Sequence, residues 1–359
     1  MNKEGYYEPE FGEAIKTESQ IERFYEHGYR NCGAAYLRFI LMAFVCFWNF
    51  GFPEPTAIVS TLSGFAAPCF YILSGYFILP KDDASGLEKT KRKMKRSFLC
   101  FAFMFVIYLL INILVCIIHH IPAAVSPRAV FNFLVLNLWP LSVGSNIWFI
   151  QAMLMAYIAI FIAFKLKLMR FYKVILVVSL IVMLLSGEFA GIIRLERIGY
   201  QCIPGNWFTR AIPYILLGKF LREKEDRFLR TAAWKYIAVW LAGAVLSLAE
   251  LFILGKTGLF VYKGHLIGYG IMAFAACGLA ISNPLGSESP VTAFLTRFDP
   301  RLPNVMYMLM DPIFYMIILA SGSSHLGIAT RFGGLAAYAI SMLLAFLLKN
   351  TRLIKMINS

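Results

Sequence analysis

The chain has 359 residues, of which 59% are hydrophobic and 15% are charged, and its mean hydropathy is +0.68. Soluble domains are typically about half apolar and a quarter charged, so the composition excludes an ordinary soluble protein. The formal net charge is +14, but the basic residues lie at the ends of apolar stretches and not in one soluble patch. We therefore expect contact with anionic lipid headgroups and no nucleic-acid partner.

Ten apolar stretches are long enough to cross a bilayer, which takes roughly 20 residues each. They predict an all-α integral membrane protein, a polytopic bundle of about ten transmembrane helices over residues 31–349. The predicted spans start near Ala34, Ala57, Phe98, Ile147, Phe171, Asn206, Tyr236, His265, Asn304 and Phe332. Residues 119–146 contain Pro and Gly and an apolar middle too short to cross, which indicates an interfacial or re-entrant segment.

The connections differ in positive charge, and this difference predicts the topology. Loops after even-numbered spans, together with the end of the chain, carry 22 Lys and Arg residues, and the opposite loops carry 7. Under the positive-inside rule, both termini are then cytoplasmic. Residues 1–30 form an acidic tail without the features of a secretory signal, and residues 350–359 form a short basic tail.

The seven cysteines are odd in number, lie mostly inside apolar spans and have no paired spacing. They are interpreted as small core residues, with no disulfide framework and no metal site.

Two polar residues lie within the first span, "YLRFILMAFVCFWNFGF". A charge such as Arg38 inside an apolar helix usually faces a protein interior or a water-filled cavity, although a position one turn from the end also allows snorkelling to the interface. Asn49 follows eleven residues later, which places it on nearly the same helical face, ~16 Å further along the axis.

The second span ends in "FYILSGYFI", where Ser74 and Gly75 are suited to close helix packing. Directly after it, "KTKRKMKR" has six bases in eight positions, Lys89 to Arg96. Such a run is typical of contact with lipid headgroups. Phosphate binding is the alternative, because guanidinium groups bind phosphate through two parallel hydrogen bonds.

Four further residues are candidates for an intramembrane site. Trp148 opens the fourth span, and Arg210 lies near the outer end of the sixth. Glu250 and Asp311 are acids inside the seventh and ninth apolar runs, and Asp311 directly precedes Pro312. Buried acids are costly in a membrane, so a functional role is the default interpretation.

Taken in order, Arg38, "FYILSGYFI", the basic run, "WFIQAMLMAY", "IPYILLGKFL" and "YMLMDPIF" resemble the acyltransferase-3 family of bacterial membrane acyltransferases. The resemblance covers the chain from about Asn31 to about Leu348. It implies a ten-span bundle in the bacterial cytoplasmic membrane. It also implies transfer of an acetyl or other short acyl group from acyl-coenzyme A, as the donor, to a hydroxyl of a cell-envelope glycan or related acceptor.

The resemblance also assigns roles to residues. Arg38 matches the family's arginine in span one, and Lys93 with Arg96, beside Arg92, match its basic group near the donor. Asn49 and Asp311 stand where the family usually has histidine. An asparagine cannot transfer a proton, whereas a buried carboxylate whose pKa is raised can act as a base. We predict a catalytic group of Arg38, Asn49 and Asp311, with Ser74, Trp148, Arg210 and Glu250 as accessory residues.

The five histidines, His27, His119, His120, His265 and His325, are alternative sources of a base. Two other functions remain open at this point. One is a catalytically degenerate member that binds a lipid, glycan or partner protein, and the other is a small-molecule transporter.

Overall fold

The structure is a computed structural model that describes residues 32–51, 53, 58–79, 83–119, 126–137, 147–187, 206–256, 266–282, 302–348 and 351. The predicted acidic tail lies outside these residues, as does the predicted basic tail apart from Thr351. No histidine side chain falls within the described part, so a histidine base stays a prediction.

The described residues form helices and no strand. The long helices are α1 (Cys32–Phe50), α3 (Ala66–Ile78), α4 (Asp83–His119), α6 (Ile147–Lys165), α7 (Tyr172–Ser186), α8 (Ile212–Glu223), α10 (Ala233–Lys256), α11 (Ile267–Ser282) and α12 (Leu302–Leu348). Three shorter helices are α2 (Ile58–Leu62), α5 (Pro127–Leu136) and α9 (Glu225–Leu229). Short 3₁₀ or π-helical turns precede α3, α7 and α8.

Eight helical segments of the described chain are long and apolar enough to cross a membrane. Large apolar side chains are exposed along them, for example Leu110, Ile117 and Val245. Such apolar surfaces are stable against lipid and not against water. Helices also suit lipid because every backbone polar group of a helix is satisfied internally. The prediction of a polytopic α-helical membrane protein is confirmed, whereas the count of ten spans and the cytoplasmic termini stay predictions.

The last described helix, α12, doubles back on itself. Gly333 lies against Phe314, and an added Cβ at Gly333 would be 3.3 Å from that ring. Nineteen residues of straight helix would separate these positions by about 28 Å. Residues 302–321 and 327–348 are therefore two spans, and the second packs on α1, where the Cys46 thiol donates to the Gly334 carbonyl.

Helices α3 and α8 pack with their backbones almost in contact. A Cβ on Gly75 would lie 1.9 Å from the Ile215 carbonyl oxygen, and a Cβ on Gly218 would lie 2.1 Å from the Ile72 carbonyl oxygen. Only glycine fits either position, so the small residues predicted to form a packing notch in span two do so against α8.

One end of the bundle is fixed by paired charges. Buried Lys219 forms an ion pair with Glu223 at 3.6 Å, and Arg222 pairs with buried Glu225 at 2.8 Å. The Tyr76 hydroxyl at the end of α3 donates to Glu225. We call this the basic end; the N-terminal part of α4, with its run of bases, also lies there.

Candidate active site

A cavity of about 330 Å³ opens at the basic end. Arg38 of α1 and Lys93 and Arg96 of α4 line it, and Lys93 lies within electrostatic range of both arginines. No carboxylate is among the described residues that line it. We call it the basic cavity, because three positive charges converge on it without a described negative one.

Arg38 is held at the wall of this cavity by an aromatic contact. Its guanidinium carbon lies 4.9 Å from the centre of the Phe77 ring, a distance suited to a cation–π interaction. Because α1 and α3 run in opposite directions, the start of α1 meets the end of α3. Arg38 lines the cavity at this point. A charge in an apolar span costs more to place than a neutral residue, and facing a cavity reduces that cost.

Two hydroxyl groups stand beside Arg38. Ser74 of α3 and Tyr157 of α6 hydrogen-bond to each other, and both line the basic cavity. Tyr157 also lies within electrostatic range of Arg38. Because one of these hydroxyls donates to the other, the pair has one hydrogen left to donate to a ligand carbonyl beside the cation.

A layer of rings closes the inner end of the basic cavity. Phe70, Phe149 and Tyr307 line this cavity and also a second one beyond them. The centres of the Phe149 and Tyr307 rings are 5.4 Å apart, and those of Phe70 and Phe149 are 6.0 Å apart. The two cavities are therefore separated by the thickness of one aromatic layer.

The second cavity has an internal volume of about 20 Å³, enough for about one water molecule. Its polar lining groups are Asn49, Ser63 and Arg210, and its walls include the rings of Trp48 and Trp148. We call it the aromatic cavity. Asn49 lies eleven residues after Arg38, or ~16 Å along α1, so the two residues of the predicted stripe line different cavities.

Arg210 is 2% exposed and belongs to the π-helical turn Trp207–Ala211. The Asn206 side-chain oxygen accepts hydrogen bonds from the backbone N–H groups of Phe208 and Thr209, both at 2.9 Å, which caps the turn. The Arg210 guanidinium carbon lies 4.8 Å from the centre of the Trp148 ring. Wide π-helical turns are rare and frequently occur at functional sites.

Helix α5, which belongs to the segment predicted to be interfacial or re-entrant, is attached beside this turn. The Trp207 indole donates to the Val135 carbonyl at 3.0 Å, and the Asn137 amide donates to the Trp148 carbonyl at 2.8 Å. Gln151 of α6 donates to the Phe133 carbonyl. The outward face of α5 exposes Phe131 and other apolar side chains, which suits a helix lying in the membrane interface.

Three predicted site residues lie away from both cavities. Arg92 is exposed and pairs with Glu88 on its own helix. Glu250 is buried and accepts from the Gly268 N–H at 3.3 Å. Asp311 is buried one turn after Tyr307 and lies within electrostatic range of Tyr307 and Tyr108, so it stands next to the aromatic layer without lining either cavity.

The remaining predicted residues fall into two groups. Arg38, Lys93, Arg96 and Ser74 meet at the basic cavity, and Asn49, Trp148 and Arg210 meet at the aromatic cavity. Sequence reasoning did not single out Tyr157 and Tyr307. Both tyrosines lie inside the motifs quoted above. The signal that could have identified them was a hydroxyl group within an apolar span.

Comparison with protein families gives one result that covers most of the molecule. A family model described as an acyltransferase domain matches residues 34–350. Searches of curated proteins and of solved structures returned no match. The match spans the described helices and both cavities, and the chain therefore belongs to the acyltransferase-3 family of membrane acyltransferases.

Proposed function

We propose that this protein is an O-acyltransferase of the bacterial cytoplasmic membrane. It moves an acetyl or other short acyl group from acyl-coenzyme A to a hydroxyl of a cell-envelope glycan. The observation that carries the proposal is the convergence of Arg38, Lys93 and Arg96 on one cavity without a described acid. Three like charges placed together repel each other, and a polyanionic ligand removes that repulsion.

The basic cavity suits the donor. Coenzyme A carries phosphates, which Lys93 and Arg96 bind near the mouth, where they remain accessible to water. A volume of about 330 Å³ is at the lower end of ligand pockets. It therefore takes the acyl end of the donor, while the nucleotide end stays outside at the basic end.

Arg38 acts on the reacting thioester. Negative charge develops on the carbonyl oxygen as the acceptor attacks, and a positioned guanidinium stabilises that charge. The hydrogen-bonded hydroxyl pair of Ser74 and Tyr157 adds one hydrogen-bond donor next to Arg38. These three groups come from α1, α3 and α6, so the packing of three helices sets their geometry.

The acceptor approaches from the other side of the aromatic layer. Its hydroxyl comes through the aromatic cavity, past Asn49, and meets the thioester at the rings of Phe149 and Tyr307. Movement of these rings is required, because a layer one ring thick lies between the two reactants. Rotamer changes of a few side chains are sufficient to open such a layer.

The reaction neither consumes nor releases a proton overall. The bond between the carbonyl carbon and sulfur breaks, and an ester bond to the acceptor oxygen forms. The acceptor hydroxyl loses a proton, and the departing thiolate of coenzyme A gains one. Asn49 orients the acceptor by hydrogen bonding but cannot carry the proton.

Asp311 is the described carboxylate best placed to handle the proton. It lies one turn from Tyr307, whose ring is part of the layer between the cavities. In this role the Tyr307 hydroxyl touches the reactants and relays the proton to and from Asp311, which lies within electrostatic range of it. Replacement by Asn at position 311 keeps the shape and removes the charge, so it lowers kcat with little change in the KM for either substrate.

Purified protein in lipid nanodiscs, mixed with radiolabelled acetyl-coenzyme A and envelope glycans, tests the proposal. We expect label in the glycan and an equal amount of free coenzyme A. The presence of Asn49 in place of a base favours the degenerate binding protein as the second candidate. Donor binding without transfer supports that candidate, and uptake of solute into proteoliposomes without donor supports a transporter.

A further inference from the structure

Arg210 differs from the other buried base of the described bundle in having no acidic partner. Lys219, which is 2% exposed, is paired with Glu223 at 3.6 Å. Arg210 is equally buried, but no carboxylate of the described residues lies within the 4.0 Å of an ion pair. Its Nε also lacks a hydrogen-bond acceptor within the described structure.

An unpaired buried guanidinium is costly. Removing an ion from water costs several kcal/mol unless hydrogen bonds and opposite charge compensate it. The Trp148 ring compensates only in part, because a cation–π contact contributes about 0.5–2 kcal/mol. Glu250, a buried acid of α10, accepts from the Gly268 N–H at 3.3 Å and forms no ion pair with Arg210, although Tyr214 and Tyr269 lie within electrostatic range of both groups.

The unpaired charge faces a cavity. Arg210 lines the aromatic cavity with Asn49 and Trp148, and this cavity has no carboxylate among its described lining residues. The capped π-helical turn and the contact with Trp148 hold the guanidinium in place before any ligand arrives. Such preorganisation lowers the entropy that binding would otherwise lose.

This inference rests on the proposed function and names its acceptor more closely. We infer that Arg210 binds an anionic group on the acceptor, so the acylated glycan is acidic near the hydroxyl that reacts. The donor does not supply this anion, because the aromatic layer separates Arg210 from the basic cavity and its three cations. The aromatic cavity has room for about one water molecule, so the anionic group enters it together with the movement of the Phe149 and Tyr307 rings that the acceptor requires.

An acidic glycan can carry a carboxylate or a phosphate, and chemical treatment distinguishes them. Carboxyl reduction converts each carboxylate to a primary alcohol, and dephosphorylation removes phosphate. Transfer of labelled acetyl groups by the full chain in nanodiscs is measured with untreated, carboxyl-reduced and dephosphorylated envelope glycans. We expect one treatment to lower kcat/KM about 30-fold or more, in line with the loss of one buried charge pair.

The Arg210→Gln variant should reproduce that loss with untreated glycan and should match the wild type with the treated glycan. Its KM for acetyl-coenzyme A should be unchanged, and Arg210→Lys should restore part of the loss. Arg230→Gln removes an exposed arginine that lines neither cavity and serves as the control. Equal transfer to treated and untreated glycans overturns the inference, as does an equal effect of Arg210→Gln on both.

A binding measurement separates this inference from the proposed function. Retention of the three labelled glycan preparations is compared on immobilised wild-type protein and on Arg210→Gln. If no glycan is acylated but acidic glycan is retained by the wild type alone, the proposed function fails and the inference stands. If retention does not depend on acidic groups or on Arg210, the inference fails whatever the activity.

Discussion

The two cavities on either side of the aromatic layer differ in how their positive charge is arranged. The basic cavity is wide and has three cations, of which Lys93 and Arg96 remain partly accessible. The aromatic cavity holds about one water molecule, and buried Arg210 is the one cation among its described lining residues. Accessible charges attract and hold a large polyanion, whereas one buried charge selects a small group by exact position. This difference is the reason why we propose donor binding at the first cavity and acceptor recognition at the second.

The largest expected effect comes from Arg38, the cation of the basic cavity that lies within electrostatic range of Tyr157 in the hydroxyl pair. Arg38→Gln should lower kcat about 10²–10³-fold, because it removes a donor aimed at the developing oxyanion. The measurement is acetyl transfer at saturating donor and acceptor, with Arg38→Lys retaining part of the activity. A changed KM for acetyl-coenzyme A with an unchanged kcat would show that Arg38 binds the donor, as Lys93 and Arg96 do, and does not stabilise the oxyanion.

Replacing the two accessible cations tests the donor side of the comparison. Lys93→Gln combined with Arg96→Gln should raise the KM for acetyl-coenzyme A about 30-fold, and the effect should weaken at high salt because both charges are accessible. Arg92→Gln is the matched control, since Arg92 is in the same basic run but is exposed and paired with Glu88. A similar KM change in the control would mean that the whole run attracts the donor without a specific site.

The contact between α3 and α8 joins the two cavities, since Ser74 precedes Gly75 and Arg210 lies just before α8. Gly218→Ala places a Cβ 2.1 Å from the Ile72 carbonyl oxygen, so the helices must move apart. We expect a loss of about 1–3 kcal/mol in stability, seen as a lower Tm in nanodiscs, together with reduced transfer. Gly255→Ala, where the added Cβ has no neighbour within 4 Å, should leave both unchanged or slightly improved. Equal Tm values for the two variants would contradict the close packing.

The smallest expected effect concerns the missing base. Asn49→His adds an imidazole at the aromatic cavity, and only its neutral form accepts a proton. Transfer by this variant should therefore rise with pH through about 6.5 and exceed the wild type about tenfold at pH 8. Asn49→Gln, which does not titrate, should lack this pH step. Loss of transfer in both variants at every pH would show that Asn49 has a role of its own.

The sequence correctly predicts a polytopic α-helical membrane protein, because hydropathy is a local property, whereas the count of ten spans stays a prediction. It does not separate Arg92 from Lys93, although the two are adjacent. A step of about 100° per residue on a helix directs one toward the cavity and the other to the surface, and the position of α6 decides which. The Ser74 and Tyr157 pair joins residues 83 positions apart, so it depends on tertiary packing.

Arg38 and Asn49 illustrate the same limit. The helical period correctly predicts that they share one face of α1. The aromatic layer that divides this face into two cavities comes from α3, α6 and α12, and no pattern within α1 contains it. The predicted single site is therefore better described as two half-sites that meet at Phe149 and Tyr307.

A sided transfer assay tests this account most directly. Proteoliposomes with the protein in one known orientation receive labelled acetyl-coenzyme A on one side of the membrane and the acidic glycan on the other. The account predicts labelled glycan only when the end bearing Lys93 and Arg96 faces the donor. Transfer that requires donor and glycan on the same side of the membrane would contradict it.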